Sequence, residues 1–305
     1  MPSRARYPAR MPDVTETTAR FMAIRPDLIG IGYRMTGSLS VAEDLAQDAF
    51  LRWHAAGPDT IEHPRAWLVR VMTRLCLDWL RSSAHRYEHY VGPWLPEPVL
   101  DTQDAPQIRQ HVREQDLSMA FLCALQTLSP TERAAFILHD LFEMSFDELA
   151  DLLQRSEAAC RQMASRARKH LRQPGTRHPM DREAGRKLIE AFLRASRLGD
   201  EAGLRTLLSQ DVRFVSDGGG VRPAARKIVE GIGKVNRLFV GLARKGQYRV
   251  PPVLYRGLIN GEPGFVTLED DGLPQVTTLA WRGGHVVAVY VVRNPDKLRG
   301  IGRKE

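Results

Sequence analysis

At 305 residues the chain has room for two or three domains, and 44 Lys and Arg against 36 Asp and Glu give it a formal charge of +8, which suits a polyanionic partner such as nucleic acid. Its three cysteines, Cys76, Cys123 and Cys160, are far apart and odd in number, which speaks for reduced core thiols in a cytoplasmic protein and against a disulfide framework or a metal site. No apolar run approaches the roughly 18 residues of a membrane span, and the Arg-bearing N-terminus lacks the apolar core of a secretory signal.

Residues 1–18 read as a disordered tail, with Met11 an alternative start to Met1. From about Phe21 to Arg86 the pattern is helical. Ser40 with Glu43 three residues on makes a capping box that opens a helix through about His54. His63-Pro64 opens the next, which runs through Arg81 to about His85. Trp67, Val71, Leu75 and Trp79 recur on it at three-to-four spacing, so the tryptophans are expected in the core. Residues 92–116 hold Pro93, Pro96, Pro98 and Pro106 with Glu97, Asp101 and Asp104, the composition of an acidic linker stiffened by proline in its first half.

A second helical block spans about 117–173 and ends at Pro174-Gly175. Ser129 with Glu132, Pro130 lying between them at the first helical position, is one capping box; Ser145 with Glu148 is another. A third helix starts at Ser156. Helix, helix, tight turn and an arginine-loaded helix is the signature of a helix-turn-helix unit that docks on DNA. In the last helix Cys160, Met163, Ala167 and Leu171 share one face and should pack inward. Ser156, Arg161, Gln162, Ser165, Arg166, Arg168 and Lys169 remain for DNA. Arg161 and Gln162 suit base edges, and the later Arg and Lys suit phosphates. A lone basic helix is more often a solvated bundle face; the capped helix and short turn before this one decide for DNA. The turn Leu153-Gln154-Arg155 has no glycine, so a left-handed residue there would cost roughly 1 kcal/mol.

After Met180 the helical patterns of Leu188, Ile189, Phe192 and Leu193 and of Leu204, Leu207 and Leu208 give way to strand-like runs at Val212–Val215, Val253–Ile259, Phe265–Leu268, Val276–Trp281 and Val286–Val292. Gly283-Gly284 makes a hairpin turn between the last two. Helices followed by an antiparallel sheet predict an α+β domain. Asp217, Tyr255 and His285 are its candidate acids and bases, but no spacing ties them together. The triple glycine Gly218-Gly219-Gly220 suits a bend or a close backbone approach better than a phosphate cradle.

Ala42–Leu51, AEDLAQDAFL, resembles the polymerase-binding helix of the extracytoplasmic-function sigma factors of the sigma-70 family. The resemblance implies docking on the clamp helices of the β′ subunit through polar Glu43, Asp44, Gln47 and Asp48 and apolar Leu45, Ala49 and Phe50. The bland alternative is an acidic first turn favoured by the helix dipole. The helix from Pro64 is similar to the family's promoter-melting and minus-10-reading segment, where a cationic track and aromatic surface serve an opened strand. Arg74, Arg81 and Arg86 are its expected DNA contacts. Residues 128–172 correspond to the minus-35 reader. Trp94-Leu95-Pro96-Glu97-Pro98, Asp217-Gly218-Gly219-Gly220 and Asn294-Pro295-Asp296-Lys297 together match a sigma-factor group with a C-terminal SnoaL-like domain, a relative of the ketosteroid-isomerase cone fold. Where that group continues the triple glycine with lysine, this chain has Val221 and then Arg222.

The resemblance covers the chain from about residue 20. It implies a multidomain protein: two all-α sigma domains at 19–91 and 117–176, the linker 92–116, and a SnoaL-like α+β domain at 177–305. The implied partners are core RNA polymerase (β′ clamp helices and β flap) and promoter DNA, with an intramolecular contact between the third domain and the helical ones through the three motifs. No catalysis, cofactor, metal or membrane is implied. Two other readings remain at this point. A one-component regulator with a ligand-sensing domain leaves 42–86 without a role. A SnoaL-type isomerase or cyclase with DNA-binding appendages needs an acid or base that the sequence does not assemble.

Overall fold

The computed structural model describes residues 14–88, 90–101, 117–171 and 181–301. Helix α1 (Val14–Thr36) begins inside the expected tail, so residues 14–18 are helical, with Thr17 buried. Gly37, at φ +70°, turns the chain, and Ser38 caps α2 (Leu39–Ala56), its hydroxyl accepting the Val41 N–H at 3.3 Å. The capping box expected at Ser40 and Glu43 therefore does not form. The cap falls two residues earlier, where the glycine turn ends, and Glu43 faces Arg25 at 3.7 Å. Helix α3 (Pro64–Glu88) starts at its proline as expected.

The second block comprises α4 (Met119–Gln126), α5 (Pro130–Phe136), a π-helical turn (Ile137–Leu141), α6 (Phe146–Leu153) and α7 (Glu157–Leu171). Both expected boxes close: the Glu132 carboxylate accepts the Ser129 N–H at 3.3 Å, and Glu148 accepts that of Ser145 at 3.1 Å. The two blocks share one apolar core running from Phe21 through Trp53, Leu68 and Met72 to Ile137, Leu149 and Ala167. Arg133, 4 % exposed, crosses it. Its guanidinium donates to the carbonyl of Met35, in the last turn of α1, and to Gln126 Oε1 and the Leu128 carbonyl at the end of α4. These acceptors lie at the C-terminal ends of two helices, where the negative end of the helix dipole suits a cation.

The third unit opens with α8 (Arg182–Leu198) and α9 (Glu201–Leu207), followed by β1 (Leu208–Asp217), β2 (Val229–Glu230), α10 (Ile232–Lys245), β3 (Val253–Ile259), β4 (Glu262–Leu268), β5 (Pro274–Arg282) and β6 (His285–Val292). The five expected strands are present, and Gly283 and Gly284 turn the β5–β6 hairpin at φ +57° and +84°. Two expectations are corrected. The sheet, ordered β2-β1-β6-β5-β4-β3, is mixed rather than antiparallel, because β1 lies parallel to β6. And α10 interrupts the strand series; Val235, Phe239 and Ala243 form its buried stripe, with Gly233 and Gly241 inside it and Gly231 and Gly246 at its ends. Alternate residues supply both sheet faces. Phe214, Phe265, Val289 and Val291 pack under α8–α10. Val215, Val266, Ala288, Tyr290 and Val292 face the other way and are covered by Leu95 and by Met119 of α4. A sheet apolar on both sides needs two covers, and the second comes from the linker and the helical block.

Candidate nucleic-acid interface and interdomain clasp

Helix α6 ends at Gln154, whose φ of +52° and ψ of 52° make it the left-handed residue that the glycine-free turn required, and the Arg155 N–H returns to the Ala150 carbonyl at 3.0 Å. Relieving it by Gln154→Gly is expected to stabilise the chain by up to about 1 kcal/mol, read as a raised urea midpoint. An unchanged or lowered midpoint would show that the turn bears no strain. Ser156 then caps α7, its Oγ accepting the Ala159 N–H at 3.2 Å. Cys160, Met163, Ala164 and Ala167 face inward, and Arg161, Gln162, Ser165, Arg166, Arg168 and Lys169 are exposed.

The exposed set divides in two. Arg161 pairs with Glu157 at 2.5 Å and lies 5.2 Å over the Phe146 ring; Arg166 pairs with Glu132 at 3.0 Å; Arg168 forks onto Asp140 at 2.7 and 2.5 Å. Gln162, Ser165 and Lys169 carry no such partner among the described residues. An exposed pair such as that of Arg161 is worth about 0–1 kcal/mol, whereas the two-bond fork of Arg168 onto the largely buried Asp140 carboxylate is held more firmly.

On α2, Asp44, Gln47 and Asp48 are exposed and Glu43 is half-buried. Leu45 and Ala49, expected in an outward contact, instead line the core, and the Phe50 ring packs at a tilt against Phe21, centroids 4.7 Å apart. Ala42, Leu45, Ala46, Ala49 and Trp53 form the inward stripe of an amphipathic helix, so those side chains cannot also point out. The exposed apolar residue is their neighbour Leu51, 57 % exposed and absent from the expected set. On α3, Arg74 is exposed and Arg81 pairs with Asp78 at 3.0 Å; the Arg86 side chain lies outside the described residues. Trp67 and Trp79 are half-buried against the helical core.

The three short motifs meet at one carboxylate. Asp217, fully buried at the end of β1, accepts the Tyr90 hydroxyl at 2.5 Å and the Gly219 N–H at 2.9 Å on Oδ1, and the Leu95 N–H at 2.9 Å and Lys297 Nζ at 2.6 Å on Oδ2. Lys297 also donates to the Leu95 carbonyl at 2.5 Å and sits 4.0 Å over the Trp94 ring. Burial pushes the Lys297 ammonium down to about 8, against the opposing pull of Asp217. Asn294 completes the knot: Nδ2 donates to the Tyr90 oxygen, and Oδ1 accepts the Asp296 N–H. The glycines make room. A Cβ on Gly219 would lie 2.4 Å from Asn294 Cγ, and one on Gly218 would lie 2.0 Å from the Arg222 carbonyl oxygen. Arg222, buried, forks onto Asp271 at 2.8 and 2.7 Å and donates to the carbonyls of Pro274 and Arg293, bracing this corner of the sheet.

Beyond the knot the linker stays docked. Pro96 and Pro98 flank Glu97, which reaches the first helical unit: its Oε2 accepts the hydroxyls of Ser38 and Ser40 at 2.9 and 3.1 Å, and its carbonyl accepts the Tyr33 hydroxyl at 2.6 Å. Asn260, buried in the β3–β4 turn, donates to the Tyr33 oxygen at 2.8 Å and accepts the Val99 N–H at 3.0 Å. One continuous chain of hydrogen bonds thus runs from the α1–α2 corner through the linker to the sheet.

Residues 21–86 match sigma-70 region 2, and residues 118–171 match sigma-70 region 4. The chain is 40 % identical over 301 residues to the ECF RNA polymerase sigma factor SigJ of Mycobacterium tuberculosis, covering 94 % of this chain and 95 % of that protein. The chain belongs to the ECF sigma factors of RNA polymerase. The crystal structure of M. tuberculosis SigJ superposes on this sigma factor with a TM-score of 0.76 at 37 % identity, covering 94 % of this chain and all of that one. A second relative, "Probable ECF RNA polymerase sigma factor SigI" of the same species, is 28 % identical across 92 % of this chain and 94 % of its own length.

In this sigma factor the candidate acids and bases of the third unit do not converge. Asp217 is consumed by the clasp, Tyr255 donates to the carbonyls of Asp101 and Leu258, and His285 is exposed at the hairpin turn. The relatives are sigma factors rather than enzymes. Among the described residues no helix is long and apolar enough to cross a membrane.

Proposed function

We propose that this sigma factor, which serves RNA polymerase at promoters, does so from a closed form that must open. The observation that carries the reading is the closure itself: regions 2 and 4 share one core, the Asp217 clasp ties the linker to the third unit, Asn260 of that unit bonds Tyr33 of region 2, and its Glu262 accepts the Met119 N–H of region 4. A compact chain of 305 residues has a radius of gyration of about 19 Å. The roughly 25 base pairs between minus-10 and minus-35 positions run about 85 Å. Reading both at once therefore requires the two helical units to part. In the open form, Asp44, Gln47, Asp48 and Leu51 of α2 dock on the clamp helices of β′. Arg74, Arg81 and Arg86 follow the melted strand, region 4 seats on the β flap, and α7 enters the major groove at minus-35. The protein works in the cytoplasm, where polymerase and promoter are.

The test is promoter binding and run-off transcription with core polymerase. Gln162→Ala should lose about 1–3 kcal/mol of promoter discrimination, because a bidentate base contact goes. Lys169→Ala should weaken all duplexes alike and lower the salt slope by about one. A Gln162→Ala protein that still discriminates as before would remove α7 from base readout.

A further inference from the structure

We propose that the third unit binds a small hydrophobic organic acid in the cavity between its helices and sheet, with Arg293 as the anchor for the acid group. The cavity measures about 540 Å³, a size suited to a cofactor- or drug-sized molecule. Its walls are aromatic and aliphatic: Phe192, Phe214, Phe239 and Phe265 with Leu238 and Val291. Phe239 meets both Phe192 and Phe214 edge to face, at 5.4 and 5.5 Å, so the apolar wall is a fixed aromatic cluster.

The charged groups lining it are unequal. Arg197 is neutralised by Glu269 at 2.5 Å, and nearby Arg222 by Asp271 at 2.7 Å. Arg293, on the same wall, has no carboxylate within ion-pair distance among the described residues. One Nη donates to the Pro223 carbonyl at 2.6 Å, and its buried Nε has no acceptor. Burial, reinforced by repulsion from Arg222, lowers its pKa against the weaker pull of Glu269 and Asp271, which are already paired with Arg197 and Arg222. Exposed Lys245 and Arg249 add positive charge to the lining against exposed Asp270, and exposed Leu242 extends the apolar wall outward. A half-buried guanidinium whose Nε is buried without an acceptor, lining a largely apolar chamber, is completed by an oxyanion carried on an apolar body. The placement also reaches the clasp: the Arg293 N–H donates to the Asp217 carbonyl at 2.7 Å, and Asn294 follows it.

The probe is 8-anilinonaphthalene-1-sulfonate, titrated into the full chain by fluorescence beside the uncharged N-phenyl-1-naphthylamine. One saturable site per chain is expected for each. Arg293→Gln should weaken the sulfonate about ten- to a hundredfold, the range of a charged hydrogen-bonded contact, and move the neutral dye less than about twofold. Leu242→Asp, at an exposed position that tolerates substitution, should weaken both. Non-saturable binding overturns the proposal. So does an unchanged sulfonate affinity in a folded Arg293→Gln protein or, if that variant does not fold, in Leu242→Asp.

Discussion

Asp217→Ala should cost the folded chain about 3–5 kcal/mol, the range for removing one partner of a buried ion pair. Four donors lose their acceptor together: the Tyr90 hydroxyl, the N–H groups of Leu95 and Gly219, and the Lys297 ammonium. Lys297 keeps the Leu95 carbonyl and the Trp94 ring, which do not neutralise it. The double variant Asp217→Ala with Lys297→Met should recover a large part of the loss, since the orphaned charge is then gone. Urea unfolding gives the energies, and hydrogen exchange gives the location: the Leu95 and Gly219 amides should lose protection before the helical core does. A single variant within about 1 kcal/mol of the parent, with the Leu95 amide still protected, would show that the carboxylate is not the keystone.

Local chemistry is legible in the sequence, while most long-range pairings are not. The boxes at Ser129 and Ser145 are decided within a few residues and form where the pattern places them, and the glycine-free turn does hold a left-handed residue, Gln154, which the pattern does not single out. The cap of α2 was missed because Ser38 and Ser40 are equally good cap residues and the deciding feature is Gly37, just before them. The motif alone points Leu45 and Phe50 outward, whereas the apolar stripe of Ala42, Ala46, Ala49 and Trp53 turns them in. Helix α10 hid behind its glycines. The parallel β1–β6 pair joins segments about 75 residues apart, and no local pattern carries strand direction. The clasp motifs were legible one by one. That they converge on Asp217, with Tyr90 as a further member, depends on the second apolar face of the sheet seeking a cover.

Arg133→Met should part regions 2 and 4 while leaving each helical unit folded. The arginine donates to Met35, Gln126 and Leu128, acceptors at the C-terminal ends of two helices that belong to different units. Methionine fills much of the volume but returns no donor, so two helix ends lose a buried cation that offsets their dipoles. Arg133 lies in the same unit as Gln126 and Leu128, so only its bond to Met35 crosses between the units; a hydrogen bond from a charged group is worth about 1.5–3 kcal/mol, and that much falls on the contact between the units. Alone, that shifts a closed-to-open equilibrium by roughly 10- to 150-fold. Energy transfer between dyes at exposed positions 47 and 169 should fall as the open population grows. If closure restrains promoter engagement, run-off transcription should rise with it at limiting polymerase. A loss of overall stability with unchanged energy transfer would place Arg133 in the fold of one unit only. Wider separation without more transcript would mean that opening is not the step that limits this sigma factor, and the restraint would then lie in the Asp217 clasp.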